Sequence, residues 1–350
     1  MKVLKKILRI FLQPLAIIWE SVYRLRRAAY NYGTFERFQF KVPIISVGNL
    51  SFGGSGKTPF TLWLGKFLES KQKKVMILMR GYKGRLEGHQ GILHSGRRLG
   101  FNPQEFGDEA LLFAMNLKRA SIVIGKNRSQ NLIDYFPTEK PDIVLLDDGH
   151  QHLKLARDLN IVLFDATLPL SSYQVAPLGY LREGPTALRD ADIIIINRSD
   201  LVPGAKIEAL QVMIKKYISP TVPIGLIGYQ STGLYNSRGE LAFPISSFPG
   251  LRVFAMAGVA SPESFFKTLQ NHEMNLVGVG SYPDHHFYTA EEINKVLTKA
   301  SDENAIVVVT EKDIVKIRHL VNDLPIYYLG IEIKFYDQEE KIKEMILSFC

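Results

Sequence analysis

The stretch "VPIISVGNLSFGGSGKTPF", residues 42–60, changes character twice and thereby indicates three consecutive elements. It begins with a continuous apolar run and passes through a segment rich in glycine and serine. It then leads into "TPFTLWLGKFLES", an amphipathic segment. A short apolar run is typical of a strand buried on both faces, and such strands belong to parallel sheets. The stretch therefore predicts a buried strand, a loop and a helix, in that order.

The loop of this stretch matches most of the pattern G-x-x-x-x-G-K-[ST], which binds phosphate when it lies between a strand and a helix. Gly56, Lys57 and Thr58 fit the end of the pattern, and Ser51 stands where the first glycine is usual. Glycines leave backbone N–H groups accessible to phosphate oxygens, the lysine adds a positive charge, and the threonine hydroxyl suits Mg²⁺. The alternative is a glycine-rich turn that binds nothing. The predicted phosphate-binding residues are Ser51, Gly53, Gly54, Ser55, Gly56, Lys57 and Thr58.

The rest of the chain continues the alternation of apolar runs with amphipathic segments. The runs "KVMILM", "SIVIG", "DIVLLD", "NIVLFD" and "DIIIIN" predict an α/β protein whose parallel sheet is covered by helices. After residue 222, two extended segments flank a turn, and a second alternating section follows. We predict a P-loop NTPase-like sheet domain over residues 31–222, a two-stranded linker over 223–247, and a smaller α/β domain over 248–350. A helix over 1–30 precedes them.

Overall composition is that of a folded protein with room for two domains. The chain has 350 residues, of which 46% are hydrophobic and 22% are charged. Its one cysteine, Cys350, excludes an internal disulfide framework and indicates a reducing compartment.

Positive charge is concentrated at the amino-terminal end. The formal net charge is +8, and the segment before residue 31 carries seven basic side chains against one acidic residue, Glu20. A nucleic-acid-binding protein more often spreads basic residues over a folded face, so we expect no nucleic-acid partner. The segment is also apolar, and Trp19 and Tyr23 suit a membrane boundary, which predicts a helix that associates with an anionic membrane surface. The alternative is an amphipathic helix packed on the protein's own core.

Two acidic residues follow a second predicted strand. In "DIVLLDDGHQH", Asp147 and Asp148 come directly after the apolar run. A phosphate loop requires a carboxylate that holds Mg²⁺ at the end of another strand, and this pair satisfies that requirement. The alternative is an acidic turn at the end of a strand.

Candidates for a general base occur in two places. "FGDEALLF" places Asp108 and Glu109 at a predicted helix start, where the residues alone favour a stabilising interaction with the helix dipole. "YPDHHFY" places His285 and His286 in a loop, where a histidine could serve as a base or an orienting group. Adjacent histidines lack the i, i+4 spacing of common zinc pairs, so no metal site is indicated there.

In combination, these motifs resemble the tetraacyldisaccharide 4'-kinase family, the lipid A 4'-kinases. The matching segments run in order from about residue 40 to residue 320: "SVGNLSFGGSGKTP", "RGYKG", "FGDEALL", "LLDDGHQHLKLARDLNIVLFDA", "PLGYLREGPTALRDADIIIINR", "FAMAGVASPESFF", "DHHFYT" and "TEKDIVKI". The resemblance implies transfer of the γ-phosphate of ATP to the 4'-hydroxyl of tetraacyldisaccharide 1-phosphate, giving lipid IVA in lipid A biosynthesis.

Residue roles follow from the same resemblance. It implies that Lys57 and Thr58 bind phosphate and Mg²⁺, and that Asp147 and Asp148 form the metal-binding pair. It also makes Asp108 the base, with His285 as its partner, and it places two further acids near the site, Glu109 and Glu183. The cofactors are then ATP and Mg²⁺, and the substrate is a lipid-linked disaccharide. We expect a monomer at the cytoplasmic face of the inner membrane of a Gram-negative bacterium.

Two other functions compete with this interpretation. "IIIINRSD" is similar to the guanine-reading N-K-x-D motif, with Arg198 in place of lysine, which keeps a P-loop GTPase or metallochaperone open. A membrane-bound, nucleotide-dependent scaffold would bind nucleotide without forming a phosphorylated product.

Overall fold

The structure is a computed structural model that describes residues 2–81, 84–96, 103–318, 320 and 324–350, with the backbone alone for residues 2–8. The quoted motif "RGYKG" includes Tyr82 and Lys83, which lie outside the described residues. The helices are α1 (Lys2–Asn31), α2 (Lys57–Ser70), α3 (Pro103–Phe106), α4 (Asp108–Asn116), α5 (Arg128–Glu139), α6 (Gly204–Lys215), α7 (Pro262–Asn271), α8 (Ala290–Asp302), α9 (Glu311–Ile317) and α10 (Glu339–Leu347). The strands are β1 (Ile44–Asn49), β2 (Val75–Met79), β3 (Gly91–His94), β4 (Ser121–Ile124), β5 (Ile143–Asp147), β6 (Leu159–Asp165), β7 (Ile193–Asn197), β8 (Ile224–Tyr235), β9 (Leu241–Phe243), β10 (Arg252–Ala257), β11 (Asn275–Ser281), β12 (Ile306–Thr310) and β13 (Ile326–Asp337).

The chain divides into two units, and each contains several separate segments of sequence. The first unit comprises residues 1–80, 119–228 and 333–350, and the second comprises 81–118 and 229–332. Both late boundaries fall inside long strands, β8 and β13, so the chain enters and leaves the second unit through extended backbone. The units group the chain differently from the predicted ranges: 81–118 joins the second unit, 333–350 returns to the first, and the predicted linker, 223–247, is divided after residue 228.

In the first unit the strands form a parallel sheet in the order β4-β2-β5-β1-β6-β7-β8. The predicted strands within it are confirmed, and every residue of β1, β2, β4, β5, β6 and β7 is buried. Since helices cover such a sheet on both faces, its strands consist of nearly continuous Val, Ile and Leu. The carboxyl ends of parallel strands meet at one edge, which brings the residues that follow β1 and β5 together.

The second unit has a smaller, mostly parallel sheet. Strand β10 pairs with β11 and β12, and β12 pairs with β13, all in parallel. Strand β8 pairs with β9 in an antiparallel hairpin. At the start of α8, Thr289 and Glu292 exchange hydrogen bonds and form a capping box. A mixed α/β fold with a large, mostly parallel sheet is therefore confirmed.

Helix α1 belongs to the first unit and has two unlike faces. One face is buried at Ala16, Arg27 and Tyr30. The other face exposes large apolar side chains: Ile10, Phe11, Leu15, Ile17, Ile18, Trp19, Val22 and Leu25. Among the described residues, no helix is both long enough and apolar enough to cross a membrane. The helix thus packs on the protein along one side and presents an apolar surface on the other.

Candidate active site

The glycine-rich loop joins the carboxyl end of β1 to the first turn of α2. Gly53 has a φ of 88°, and Gly56, which immediately precedes α2, has a φ of 87°. Residues with a Cβ rarely adopt this backbone conformation, so glycine is required at both positions. A Cβ at Gly54 would meet no atom within 4 Å. The loop therefore combines a defined backbone with open space beside it, an arrangement that suits an anion.

Two asparagines hold this loop, one from the carboxyl end of β1 and one from that of β7. Nδ2 of Asn49 donates to the hydroxyl of Ser51 at 3.2 Å. Nδ2 of Asn197 donates to the carbonyl oxygen of Ser55 at 3.0 Å. Both asparagines are fully buried. The Ser55 hydroxyl is also buried and has no hydrogen-bond partner within the described residues. A phosphate oxygen would satisfy this hydroxyl, since buried polar groups are normally paired.

Lys57, at the start of α2, lies beside the acidic pair. Its Nζ donates to Oδ1 of Asn49 at 3.2 Å and lies 3.3 Å from Oδ1 of Asp148. Nη1 of Arg182 contacts the other carboxylate oxygen of Asp148 at 3.1 Å. The Asp148 carboxylate thus joins the loop lysine to an arginine of the "LRE" segment, residues 181–183.

The charge of Asp148 is stabilised by its cationic neighbours. Burial alone would raise the pKa of this carboxyl, but the charges of Lys57, Arg182 and Arg128 outweigh burial and lower the pKa to about 2. Its backbone is in the left-handed region, with a φ of 50°. Asp148 is therefore an anion at every physiological pH, as a metal ligand must be.

Asp147 has a different environment from its neighbour. It ends β5 opposite Val47 of β1 and is only 4% exposed. Its Oδ1 accepts a hydrogen bond from the hydroxyl of Thr61 at 2.9 Å, and Thr58 on the same helix is also buried. Parallel pairing of β1 with β5 thus places the acidic pair at the same edge of the sheet as the loop.

The oxygen donors at this edge fit Mg²⁺. They are the hydroxyl of Thr58 and the carboxylates of Asp147 and Asp148, and Mg²⁺ prefers oxygen ligands. Within the described residues no group of three or more His, Cys, Asp or Glu side chains could hold a metal ion. Mg²⁺ in phosphate-transferring sites takes only one or two carboxylates and completes its shell with phosphate and water, so a small donor set is expected.

In the second unit, Asp108 and His285 form a close pair. Asp108 is the first residue of α4 and follows Gly107, whose φ of 83° requires glycine. His285 also has left-handed backbone, with a φ of 63°. Its Nδ1 lies 2.9 Å from Oδ2 of Asp108, and the two side chains are 15% and 7% exposed. The structure thus brings together two residues that the sequence leaves in separate motifs.

Contact between Asp108 and His285 shifts the pKa of both side chains. Burial would raise the pKa of Asp108, but the hydrogen bond to His285 and the charge of Lys312 hold that pKa below its ordinary value. The hydrogen bond to Asp108 raises the pKa of His285 against the opposing effect of burial. The carboxylate and the imidazolium therefore stabilise each other.

Glu109, the next residue of α4, belongs to the same cluster. Nζ of Lys312 lies 3.5 Å from Oε1 of Glu109, and α4 packs against α9, which carries this lysine. Burial would lower the pKa of Lys312, but Glu109 and Asp108 raise it. Lys312 is a member of this cluster that the sequence analysis did not single out, although it lies within the quoted segment "TEKDIVKI".

Glu183, in the first unit, lies in an ion-pair network with α1. It is 2% exposed, and its Oε2 accepts hydrogen bonds from Nη2 and Nε of Arg27 at 2.6 and 3.2 Å. Arg27 is one of the seven basic residues before residue 31. Its side chain is buried against carboxylates inside the protein, so it does not belong to the surface that would face anionic lipid.

These residues form two groups at defined places in the fold. The glycine-rich loop, Lys57, Thr58 and the acidic pair share one edge of the parallel sheet in the first unit. Asp108, Glu109 and His285 share one cluster in the second unit. The fold and these groups define an α/β protein with a glycine-rich loop, a lysine and paired acids at the carboxyl ends of parallel strands.

Comparison with known proteins identifies the family. Residues 8–350 match the sequence profile described as "Tetraacyldisaccharide-1-P 4'-kinase". Among curated proteins, the chain is 35% identical over 323 residues to the tetraacyldisaccharide 4'-kinase of Geobacter sulfurreducens, covering 92% of this chain and 88% of that protein. It is 34% identical over 329 residues to that of Geobacter metallireducens, covering 94% of each.

A solved structure agrees with the sequence comparisons. The crystal structure of LpxK from Aquifex aeolicus in complex with ATP aligns with a TM-score of 0.78 and 30% sequence identity, covering 98% of this chain and 99% of that one. The chain therefore belongs to the tetraacyldisaccharide 4'-kinase family, and the resemblance drawn from its motifs is confirmed.

Proposed function

We propose that this chain transfers the γ-phosphate of ATP to the 4'-hydroxyl of tetraacyldisaccharide 1-phosphate, giving lipid IVA. Its family membership over residues 8–350 supports this reaction. The observation that carries the proposal is the position of Lys57 Nζ, 3.3 Å from Asp148 at the mouth of the glycine-rich loop. A lysine that already neutralises one carboxylate there can exchange that partner for the terminal phosphates of ATP.

The first unit binds the nucleotide in this proposal. Backbone N–H groups of the loop and the hydroxyls of Ser51 and Ser55 donate to phosphate oxygens, and Lys57 neutralises their charge. Thr58, Asp147 and Asp148 hold Mg²⁺. When bound, the ion offsets the negative charge that the phosphates bring to the loop. Because Asp148 remains ionised beside Arg182, its carboxylate stays available to bind a cation throughout the reaction.

The second unit supplies the base. Asp108 accepts the proton of the 4'-hydroxyl, and the hydrogen bond from His285 orients the carboxylate and stabilises its charge. Glu109 fixes Lys312 beside this pair, so that the ammonium group is held close to the reacting carboxylate. In the first unit Glu183 supports the segment that carries Arg182. All of these residues come from a single chain, so the proposal requires only a monomer.

The lipid acceptor explains the exposed face of α1. Phe11, Leu15 and Ile18 lie on one side of the helix and are each more than half exposed. Large exposed apolar patches mark interaction surfaces, and a helix of this kind inserts into the boundary between headgroups and acyl chains. We assign the protein to the cytoplasmic face of the inner membrane, where ATP and an acylated sugar are both available. Anchoring raises the effective concentration of such an acceptor.

The competing GTPase assignment requires Asn197 to read a guanine base. In the structure, Nδ2 of Asn197 donates to the carbonyl oxygen of Ser55, and its Oδ1 accepts from the backbone N–H of Arg198. The guanidinium of Arg198 pairs with Asp165. Both polar groups of Asn197 are therefore already engaged within the protein, and one of them holds the loop, which favours ATP and the kinase reaction over this alternative.

The direct test uses the full chain, Mg²⁺, γ-labelled nucleotide and tetraacyldisaccharide 1-phosphate in mixed micelles. The proposal predicts label in the lipid fraction with ATP, and little with GTP. Lys57→Met is the negative control, and Lys66→Met, which changes an exposed lysine on the same helix, is the matched positive control. Label transfer that prefers GTP, or that persists in Lys57→Met, would refute the assignment.

A further inference from the structure

Helix α1 contacts the "LRE" segment, which carries Arg182 and Glu183. The indole Nε1 of Trp19 donates to the carbonyl oxygen of Arg182 at 2.8 Å. Eight positions along the helix, Arg27 contacts Glu183. Between these contacts, Glu20 lies so close to Gly184 that a Cβ there would be 2.2 Å from its carboxylate oxygen. The helix thus contacts this segment at three successive points.

Arg27 is the charged centre of this contact. Its Nη2 and Nε donate to Oε2 of Glu183, and its Nη1 lies 2.5 Å from Oδ2 of Asp190. Nη2 also lies 3.4 Å from Nε2 of His150. The arginine side chain is 10% exposed and that of Glu183 is 3% exposed. A buried carboxylate of this kind is stable only with its cationic partner in place.

One chain of contacts leads from the helix to the loop lysine through the "LRE" segment. Arg182, whose carbonyl oxygen is held by Trp19, contacts Asp148 through its guanidinium at 3.1 Å. Asp148 in turn lies 3.3 Å from Nζ of Lys57. Movement of the segment would therefore separate Arg182 from Asp148 and leave that carboxylate to Lys57 and Arg128.

A second chain of contacts reaches the same lysine from the other side. Nη1 of Arg26 donates to the carbonyl oxygen of Gln151 at 3.2 Å. The side-chain amide of Gln151 donates to the carbonyl oxygen of Asn49 at 2.7 Å. Oδ1 of Asn49 accepts from Nζ of Lys57. Two adjacent arginines on α1 thus support both partners of the loop lysine.

The geometry points to Arg27 as a positioning residue for phosphoryl transfer: it fixes the Arg182–Glu183 segment, and through it the Asp148–Lys57 contact, from the face of α1 opposite the exposed apolar surface. This inference rests on the proposed kinase function. Helix α1 then has two roles: one face positions the Arg182–Glu183 segment, and the other faces lipid. Activity then depends on the docking of α1 even when the lipid acceptor is supplied in micelles.

Loss of the guanidinium should act on the catalytic rate. In Arg27→Met, Glu183 stays buried without a cation, and the segment relaxes to rehydrate it. A displacement of about 1 Å in a positioning group can lower a rate about 100-fold. Arg27→Lys retains the charge but cannot contact Glu183 and Asp190 with the fork geometry of a guanidinium, so it should recover only part of the rate.

The test compares three full-length variants in mixed micelles that contain ATP, Mg²⁺ and tetraacyldisaccharide 1-phosphate. We expect Arg27→Met to lower kcat about 10- to 100-fold, with the KM for ATP within about threefold of the wild type. The kcat of Arg27→Lys should lie between those of Arg27→Met and the wild type. Arg189→Met is the matched control, because it removes an exposed arginine one residue from Asp190, and it should leave kcat unchanged. Amide hydrogen exchange at residues 181–184 should be faster in Arg27→Met alone.

Wild-type kcat and unchanged exchange in Arg27→Met would overturn the inference, as would an equal fall of kcat in Arg189→Met. Should Arg27→Met fail to fold, Arg27→Lys decides, and wild-type kcat in that variant would overturn the inference. A wild-type chain that transfers no phosphate would refute the proposed function instead. The exchange measurement would still show whether Arg27 holds the segment.

Discussion

Nδ1 of His285 lies 2.9 Å from Oδ2 of Asp108, although the two residues are 177 positions apart in the chain. Each has a backbone feature that fixes it: Asp108 begins α4 directly after a glycine with left-handed backbone, and His285 has a φ of 63°. Non-glycine residues with such φ values are uncommon and are enriched at functional sites. The pair is thus held in place by both chain segments.

Removal of the charge on Asp108 should affect the chemical step. Asp108→Asn preserves the shape of the side chain but cannot accept the hydroxyl proton, so we expect kcat to fall about 10²- to 10⁴-fold. The KM for ATP should change little, because a base acts in the transition state. Asp302→Asn, which alters an exposed acid in the same unit, is the control. Steady-state turnover of Asp108→Asn at the wild-type level would remove this residue from its role.

The Asp108–His285 pair should also make the stability of the fold depend on pH. The lowered pKa of Asp108 contributes stability above the ordinary carboxyl value of 3.8, and that contribution is lost as the pH falls below it. The raised pKa of His285 contributes stability below the ordinary imidazole value of 6.5, and that contribution is lost as the pH rises through the raised pKa. The ion pair therefore stabilises the fold most at about pH 5.

His285→Gln should consequently lower the free energy of unfolding by about 1.5 to 3 kcal/mol at about pH 5, and by less above neutral pH. Thermal unfolding of both proteins across this pH range measures the difference. His89→Gln, which removes an exposed histidine of the same unit, is the matched control. A stability loss in His285→Gln that is the same at every pH would show that the histidine carries no charge in the pair.

Lys57 should be required for turnover through its charge. Lys57→Met removes the cation that the loop offers to phosphate, and loss of one such electrostatic group costs about 10²- to 10³-fold in rate. Part of the effect should come from Asp148, which would keep only Arg182 and Arg128 as neighbouring cations. Phosphate transfer by Lys57→Met within tenfold of the wild type would be incompatible with the proposed site.

The exposed face of α1 should determine membrane binding. Replacing Phe11, Leu15 and Ile18 together by serine removes apolar area that would enter the lipid, at about 1.5 to 3 kcal/mol for each fully buried side chain. We expect co-sedimentation with anionic vesicles to fall at least about tenfold. The control replaces Leu201 and Val212, which are exposed apolar residues elsewhere in the first unit. Undiminished sedimentation of the triple variant would refute the membrane surface.

A buried ion pair should stabilise the second unit. Nζ of Lys316 lies 2.7 Å from Oδ1 of Asp313, with side-chain exposures of 1% and 0%. Asp313 also accepts a hydrogen bond from the hydroxyl of Tyr288, three residues after His285. Lys316→Met leaves a buried carboxylate without its cation, so we expect a loss of about 3 to 5 kcal/mol in the free energy of unfolding. Lys295→Met removes an exposed lysine and should cost less than about 0.5 kcal/mol.

Local patterns explain why much of the first unit could be predicted from the sequence. Apolar runs identify strands that are buried on both faces, and the glycine-rich stretch identifies a loop between β1 and α2. The position of Asp147 beside that loop also follows, because parallel strands end at the same edge of their sheet. Each of these predictions depends on neighbours in sequence or on a general rule of sheet geometry.

Contacts between distant segments could not be predicted in this way. Residues alone favoured a helix-dipole role for Asp108, because nothing in its own segment indicates a histidine 177 positions away; only the family resemblance paired the two. Arg27 is one of the basic residues before residue 31, and a basic, amphipathic segment does not reveal which of its arginines is buried. The return of 333–350 to the first unit likewise depends on β13, a strand that the sequence analysis did not identify.

The most direct test of the central claim is the structure of the product. Purified full-length chain, incubated with ATP, Mg²⁺ and tetraacyldisaccharide 1-phosphate, should give a lipid heavier by one phosphoryl group, with a new phosphomonoester on the 4' carbon in ³¹P-¹H correlation spectra. A lipid that remains singly phosphorylated, or that carries its second phosphate at another position, would contradict the account.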